Sequence, residues 1–404
     1  MKIAVLHPYP VHSGAVGGVT RVNSLVRFLA PRHDLTVFAH SSGCRDTDAE
    51  AIRDLQAIGV KQLLFEPARP GIGRRLRWAV GAVPYFVGYN RNPELEACLQ
   101  ALNRKDGFDV AHLELAYMAP LLDGLGRRPV RFLAEQETMS MVIDRLRRVP
   151  LWRRKPYETF LVTQGTKVRR FEAGALASFA RLYAITPEEA ERMAAVSGRS
   201  VGVLPHVVST RAFTVGDFPV RQPTVLFVGN YRHRPNLHGL LWFVKEIWPQ
   251  ISALHPEAVF EVVGPCLEEG HRRRLISAGI RVTGRVENLA ARYQSASVFV
   301  NPILSGGGMR GKVLESFACG LPVVSTRMGM EGIAAREEVE FLEADDPRLF
   351  ARQIGRYLGD PGMREAHGKA ARRLVEDTYD TRLVFARLED DYRECVIDDR
   401  GPAA

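Results

Sequence analysis

A glycine-rich loop held between two strand-like runs constrains this chain more than any other feature. In Val298 to Gly332, VFVNPILSGGGMRGKVLESFACGLPVVSTRMGMEG, the β-branched run Val298-Phe299-Val300 reads as a buried strand. Ser305-Gly306-Gly307-Gly308 follows, a loop able to take positive φ and to let a ligand or another backbone come close. From Met309 to Cys319 the apolar residues Val313, Leu314, Phe317 and Ala318 recur at helical spacing, and Gly320 is placed to end that helix. Leu321 to Ser325 predicts a second strand. Strand, loop, helix and strand make a βαβ unit, whose loop falls at the carboxyl edge of the sheet, where such sheets bind ligands.

The chemistry favoured at that edge is phosphate chemistry. Free N–H groups and the helix dipole at a helix start favour an anion. Arg310 and Lys312 place two cations in the predicted first turn, where cations are otherwise unfavourable unless a bound polyanion offsets the repulsion. Glu315 lies three residues beyond Lys312 and shares its face, placed as a carboxylate would be to accept hydrogen bonds from ribose hydroxyls. The same residues also suit a solvated Lys–Glu pair beside an ordinary glycine turn, because a glycine loop alone is a weak signal.

The whole stretch resembles the donor-site signature of retaining glycosyltransferases of family 4 (glycosyl transferases group 1), which have the GT-B fold. The matching residues are Gly306-Gly307-Gly308, Lys312, Leu314-Glu315, Ala318, Gly320, Pro322-Val323-Val324, Thr326, Gly329 and Glu331-Gly332. The resemblance implies an α/β chain of two Rossmann-like domains facing each other across a nucleotide-sugar cleft. It implies that Glu315 holds the ribose, that Lys312 and its basic neighbour Arg310 hold and activate the diphosphate, and that Gly307, Gly308 and Met309 line the donor. Many members carry a further glutamate eight residues before the ribose glutamate; that position here is Gly307, as in a subgroup with a triple-glycine loop. Backbone N–H groups would then read the donor sugar.

Length and composition set the frame. A chain of 404 residues suits two domains, and its 46% hydrophobic and 25% charged content suits a soluble globular protein with a sizeable core. The formal charge of +9 is arginine-heavy and dispersed, which fits an acidic substrate or an anionic membrane surface better than a nucleic-acid stripe; no nucleic-acid-binding signature is present. The five cysteines (Cys44, Cys98, Cys266, Cys319, Cys395) are far apart, with no CxxC, pointing to a reducing compartment and away from zinc. The resemblance implies an enzyme that needs no metal, and Asp345-Asp346 and Asp390-Asp391 are adjacent pairs with no ligand cluster around them, so no metal or other cofactor is expected. MKIAVLHPYP is too short an apolar run for a signal peptide, and nothing reaches transmembrane length. The expectation is a cytoplasmic protein, or one peripheral to the inner face of a membrane.

In chain order, Lys2 to Leu6 reads as a strand, followed by a second glycine loop, Ser13 to Gly18, and a helix over Val19 to Leu29. The resemblance places Gly17 and Gly18 near the diphosphate, with Arg21 three residues on; a tight turn is the alternative. Arg69 to Arg91 combines Arg74, Arg75 and Arg77 with Trp78, Tyr85, Phe86 and Tyr89, which suits an anionic lipid interface as well as a core-facing helix with a basic start. The strand Phe108 to Glu114 carries His112 and Glu114, which the resemblance places near the reacting sugar, although the family has a second histidine where Glu114 stands. Glu135-Gln136-Glu137 ends a further strand, where its carboxylates could orient an acceptor hydroxyl, act as its base, or be solvated. Tyr157 to Ala180 reads as one long helix, and Thr186-Pro187-Glu188-Glu189 as a capped helix start. Pro205-His206-Val207-Val208 stands where the family has Pro-Asn-Gly-Val, and the linker is expected over 205 to 220.

The second half begins with the strand Thr224 to Val228, then Gly229-Asn230-Tyr231 and a helix over Leu240 to Ile251. Asn230 and Pro235 replace the arginine and lysine that family members commonly direct at the diphosphate, and Arg232 or Arg234 could substitute. The predicted domains are 1–207 with a returning helix 381–400, the acceptor side, and 208–380, the donor side. The implied reaction moves a sugar, with retention, from a UDP- or GDP-sugar to a hydroxyl of a sugar, lipid-linked or small-molecule acceptor, in polysaccharide or other glycoconjugate synthesis. A sugar-nucleotide epimerase and a non-catalytic sugar-nucleotide-binding subunit are the alternatives.

Overall fold

The computed structural model describes residues 1–13, 18–67, 71–126, 128–216 and 222–400. The chain divides into two compact units, Met1–Pro205 with Phe385–Ala404, and His206–Val384. The first is built on strands β1 (Lys2–His7), β2 (Asp34–His40), β3 (Lys61–Phe65), β4 (Val110–Glu114), β5 (Val130–Glu135), β6 (Arg181–Ala184) and β7 (Gly202–Val203). They form one seven-stranded sheet in the order β3-β2-β1-β4-β5-β6-β7, and every pairing is parallel. The second unit contains β8 (Thr224–Val228), β9 (Val259–Val263), β10 (Arg281–Gly284), β11 (Val298–Asn301), β12 (Val323–Ser325) and β13 (Phe341–Glu343). Its six strands run in the order β10-β9-β8-β11-β12-β13, also parallel throughout.

The central strands are apolar along their length because helices cover both faces of a parallel sheet. All five residues of β8 and all four of β11 are buried. The core of the second unit gathers Phe227, Phe243, Phe260, Val298 and Phe350; that of the first gathers Leu6, Phe38, Leu113, Leu133 and Met118. In each unit the chain winds outward from one central strand and then returns to wind the other way. The reversals fall between β1 and β4 and between β8 and β11. Loops leaving the carboxyl ends of those neighbours diverge and leave a crevice, the usual ligand position in such sheets.

Two long helices expected from the sequence are interrupted. The segment beginning at Tyr157 forms Pro156–Thr163 and Gly165–Leu176, broken at Gln164, whose side-chain amide donates to the Ala79 carbonyl at 3.2 Å. The helix expected from Leu240 starts earlier, as Arg234–Trp242, opens into a π turn over Phe243–Ile247 and resumes as Trp248–Leu254. Pro249 has no N–H to return to the preceding turn, which accounts for the widening. The terminal helix, Thr381–Arg400, is long as expected, and its residues from Phe385 pack with the first unit. No helix among the described residues is long and apolar enough to cross a membrane.

Candidate active site

The reversal between β8 and β11 assembles most of the donor-side residues singled out in the sequence. From β8 the chain passes Gly229 and Asn230 into the helix Arg234–Trp242; from β11 it passes the glycine loop into the helix Gly311–Ala318. A Cβ on Gly239 would lie 2.4 Å from the Pro302 carbonyl oxygen, so only glycine lets the first helix press against the loop that follows β11. At the loop itself a Cβ on Gly306 would meet Pro235 at 3.2 Å. The starts of the two helices are thereby brought together, and both turn positive dipole ends toward one place.

The glycine loop turns through Gly306 (φ +96°) and Gly308 (φ +82°), conformations that side-chain-bearing residues rarely adopt. The helix expected from Met309 begins at Gly311, and Arg310 is its N-cap. Arg310 therefore sits ahead of the first turn, and its guanidinium donates back to the carbonyls of Gly307 and Gly306. It braces the loop while adding positive charge beside it. The Met309 side chain is buried in the core.

Lys312 occupies the centre of this edge. Its ammonium donates to Asn236 Oδ1 at 2.9 Å and lies 4.5 Å from the centre of the Phe227 ring. Asn236 in turn donates to the Asn230 carbonyl at 3.0 Å, tying the loop after β8 to the helix after β11. Burial pulls the Lys312 ammonium well below its ordinary range, Arg310 adds to that, and Glu315 partly opposes it. An ammonium this poorly compensated gains from an arriving anion. His233, the N-cap of the neighbouring helix, is also shifted down, first by burial and then by the charges of Arg310 and Lys312. The positive field thus spans both loops.

Glu315 stands one turn behind Lys312. Tyr293 donates to its Oε2 at 2.9 Å and to the Lys312 carbonyl at 3.2 Å. Burial pushes the Glu315 carboxyl up, while the Tyr293 hydroxyl and Lys312 pull it down. The rest of the signature is structural. Asn301 Nδ2 donates to the Gly329 carbonyl at 2.9 Å, and a Cβ on Gly329 would lie 2.3 Å from Ser325 Oγ. Thr326 donates to the Ile303 carbonyl, and the Gly368 backbone packs on Gly320 so closely that a Cβ on Gly368 would meet the Gly320 oxygen at 2.1 Å.

Arg232 and Arg234 flank the site and are exposed, Arg234 opening its helix. Asn230 accepts from the Arg232 backbone N–H at 3.0 Å. Sequence reasoning gave no role to Asn236, Tyr293 or His233. Of these, only Asn236 carried a signal, a polar residue in the first turn of a helix already placed at the crevice.

The first unit's residues meet a different fate. Gly17 lies outside the described residues. Gly18 opens the helix Gly18–Leu29, and the space beside its Cα is filled by the Gln136 side chain, 1.6 Å from where a Cβ would stand. His112 and Glu114, expected near a reacting sugar, lie inside the first unit. Neither has any exposed surface, and their polar atoms are already engaged. Arg21 forms a short ion pair with Glu114 and donates to the Leu204 carbonyl at 2.8 Å. Glu114 Oε1 lies 3.1 Å from His112 Nε2, and Tyr392 of the terminal helix lies 2.6 Å from His112 Nδ1. Burial alone would push the Glu114 carboxyl up, but Arg21, then His112, bring it down to about 2. Glu135, at the end of β5, accepts the Ala116 N–H at 2.7 Å, and burial pushes its carboxyl up to about 8 against that bond. Among the described residues no group of three or more His, Cys, Asp or Glu is gathered as a metal site.

Comparison with known proteins agrees with this architecture. Residues 222–360, about a third of the chain, match the family model described as Glycosyl transferases group 1. A 33% identical D-inositol 3-phosphate glycosyltransferase of Acidothermus cellulolyticus aligns over 48% of this chain and 48% of its own length. An uncharacterized 44.6 kDa protein in the cps region of Klebsiella pneumoniae is 27% identical over 52% of this chain and 55% of its own. The chain spans about half the length of the curated relatives it matches. Anabaena HepE, solved in complex with UDP and glucose, superposes with a TM-score of 0.66 at 13% identity, covering 97% of this chain and 99% of that one. The stretch similar to the group 1 glycosyl transferases lies within the second unit, and the two-sheet architecture is the GT-B fold.

Proposed function

We propose that this chain, a group 1 glycosyltransferase by its C-terminal domain, moves a sugar from a nucleoside-diphosphate sugar to an acceptor hydroxyl with retention at the anomeric carbon. The observation that carries the reading is the setting of Lys312, an ammonium destabilised by burial at the meeting point of two helix starts. In the transfer, the bond from the anomeric carbon to the diphosphate oxygen breaks and its electron pair stays with the diphosphate. The same carbon bonds to the acceptor oxygen, which gives up its proton. Negative charge therefore grows on the leaving group, where Lys312, the loop N–H groups and the braced Arg310 stabilise it electrostatically. Asn236 holds Lys312 in place before the donor arrives, and Glu315, steadied by Tyr293, accepts from the ribose hydroxyls. Positioning and electrostatics supply the rate enhancement, with no metal ion assigned a part.

UDP is the first donor base to test, because HepE binds it; GDP is the second. The acceptor is a hydroxyl of a sugar, a lipid-linked sugar or a small polyol, the last supported by the inositol phosphate acceptor in the relative's name. A thermal-shift panel of UDP, GDP, ADP and TDP names the base, since a ligand that binds only the folded state raises the melting temperature. A product assay with and without acceptor then tests transfer. Turnover of the donor sugar without acceptor would point to an epimerase, and a strict metal requirement would contradict the mechanism.

A further inference from the structure

The first unit carries a surface that the donor site leaves unexplained. The helix Ile72–Val80 has no buried residue. Its apolar side chains Ile72, Leu76 and Val80 recur every four residues along one stripe and are 78%, 60% and 83% exposed. A surface helix ordinarily turns such a stripe toward the core. Here the stripe faces outward beside Arg74, Arg75 and Arg77, all exposed. A second segment, which sequence reading passed over, repeats the combination. Leu151 and Trp152 are 65% and 77% exposed, with the Arg153 guanidinium 4.5 Å from the Trp152 ring centre and Lys155 exposed beside them.

The two segments are linked by packing through the helices between them. Lys167 donates to the Ala79 carbonyl at 2.6 Å, anchoring the end of the first helix. Trp78 meets Tyr85 edge-on at 6.2 Å, and Tyr85 meets Phe160 at 5.4 Å, in the helix that follows Lys155. Neither 71–91 nor 145–157 contains a single aspartate or glutamate.

We infer that this face docks on an anionic lipid bilayer, with Ile72, Leu76, Val80, Leu151 and Trp152 entering the interface and the surrounding arginines meeting lipid phosphates. The charge pattern decides the occupant. A second copy of this face would bring cation against cation, and a neutral partner would leave the arginines without a role. An anionic bilayer satisfies both sets at once, because apolar side chains and an indole bury at the headgroup boundary while each nearby basic residue strengthens binding roughly fivefold. The inference goes beyond glycosyl transfer and does not depend on it, since vesicle binding needs neither donor nor acceptor.

The test sediments the full chain with phosphatidylcholine vesicles and with phosphatidylcholine–phosphatidylglycerol vesicles, at low and high salt. Binding is expected to the anionic vesicles only and to weaken with salt, while Trp152 emission shifts to the blue; Trp152→Phe removes that shift. The pairs Arg74→Glu with Arg77→Glu, and Leu151→Ser with Trp152→Ser, each lower the partition coefficient by about tenfold or more. All these positions are exposed, so nucleotide thermal shift stays unchanged and reports a folded chain. No binding to anionic vesicles, or binding that both pairs leave intact, overturns the inference. So does a dimer that the same pairs dissociate, since a second copy would then cover the face.

Discussion

The two sheets share a winding pattern, yet the polar residues at their reversals are used in opposite ways. Between β1 and β4, Arg21, His112, Glu114 and Tyr392 are closed from solvent and bond to one another. Between β8 and β11, Lys312 and Glu315 keep part of their surface open, and each is shifted by burial away from its charged form. An ion pair with no exposed surface has nothing to offer a ligand, and this one joins β4, the helix Gly18–Leu29 and the terminal helix. A cation held beside helix starts, with a neutral amide and a ring face as its contacts, is a site prepared for an anion. Titratable side chains at the edge of an α/β sheet therefore point to a ligand when solvent reaches them and their charge is poorly compensated.

The comparison breaks most readily on stability. Glu114→Ala strands Arg21 in the core and is expected to cost about 3–5 kcal/mol, read as a lowered melting temperature. The Glu114 carboxyl is depressed in the fold, so its contribution is present above the ordinary carboxylate range and is lost as pH falls toward about 2. Lys312→Ala should instead leave the melting temperature of the unliganded protein near its original value while transfer falls by about 10²–10³, the loss seen when one transition-state stabilising group is removed. Glu315→Ala should weaken nucleotide binding by about 1–3 kcal/mol in calorimetry. The mildest test concerns Glu135. Its folded carboxyl is raised to about 8, so the folded state holds a proton the unfolded chain has released, and stability falls as pH rises through that window. Glu135→Gln should remove that slope, at most about 1.4 kcal/mol per pH unit, in melting curves taken between mildly acidic and mildly alkaline pH.

The donor half was largely legible because its signals are local. β11, the glycine loop, the helix carrying Lys312 and Glu315, and β12 lie within one continuous stretch, and apolar runs flanked by glycine keep their meaning wherever the chain goes next. Less visible were the contacts that decide what each residue does. Arg21 reads as a cation near a glycine loop until Glu114 is seen against it, and His112 reads as a site histidine until the Tyr392 hydroxyl from the far end of the chain reaches it. Asn236 and Tyr293 take their roles from partners 76 and 22 residues away in sequence, distances that no local pattern encodes. The break falls at Gln164, next to Gly165, and the Gln164 side chain reaches the distant Ala79 carbonyl.

The most direct measurement is a calorimetric titration of UDP and GDP into the wild-type chain, Lys312→Ala and Glu114→Gln. One nucleotide should bind the wild type, lose most of its affinity for Lys312→Ala, and bind the folded fraction of Glu114→Gln as before. Equal affinity for wild type and Lys312→Ala, or loss of binding confined to Glu114→Gln, would contradict the assignment of the diphosphate to the helix start at Gly311.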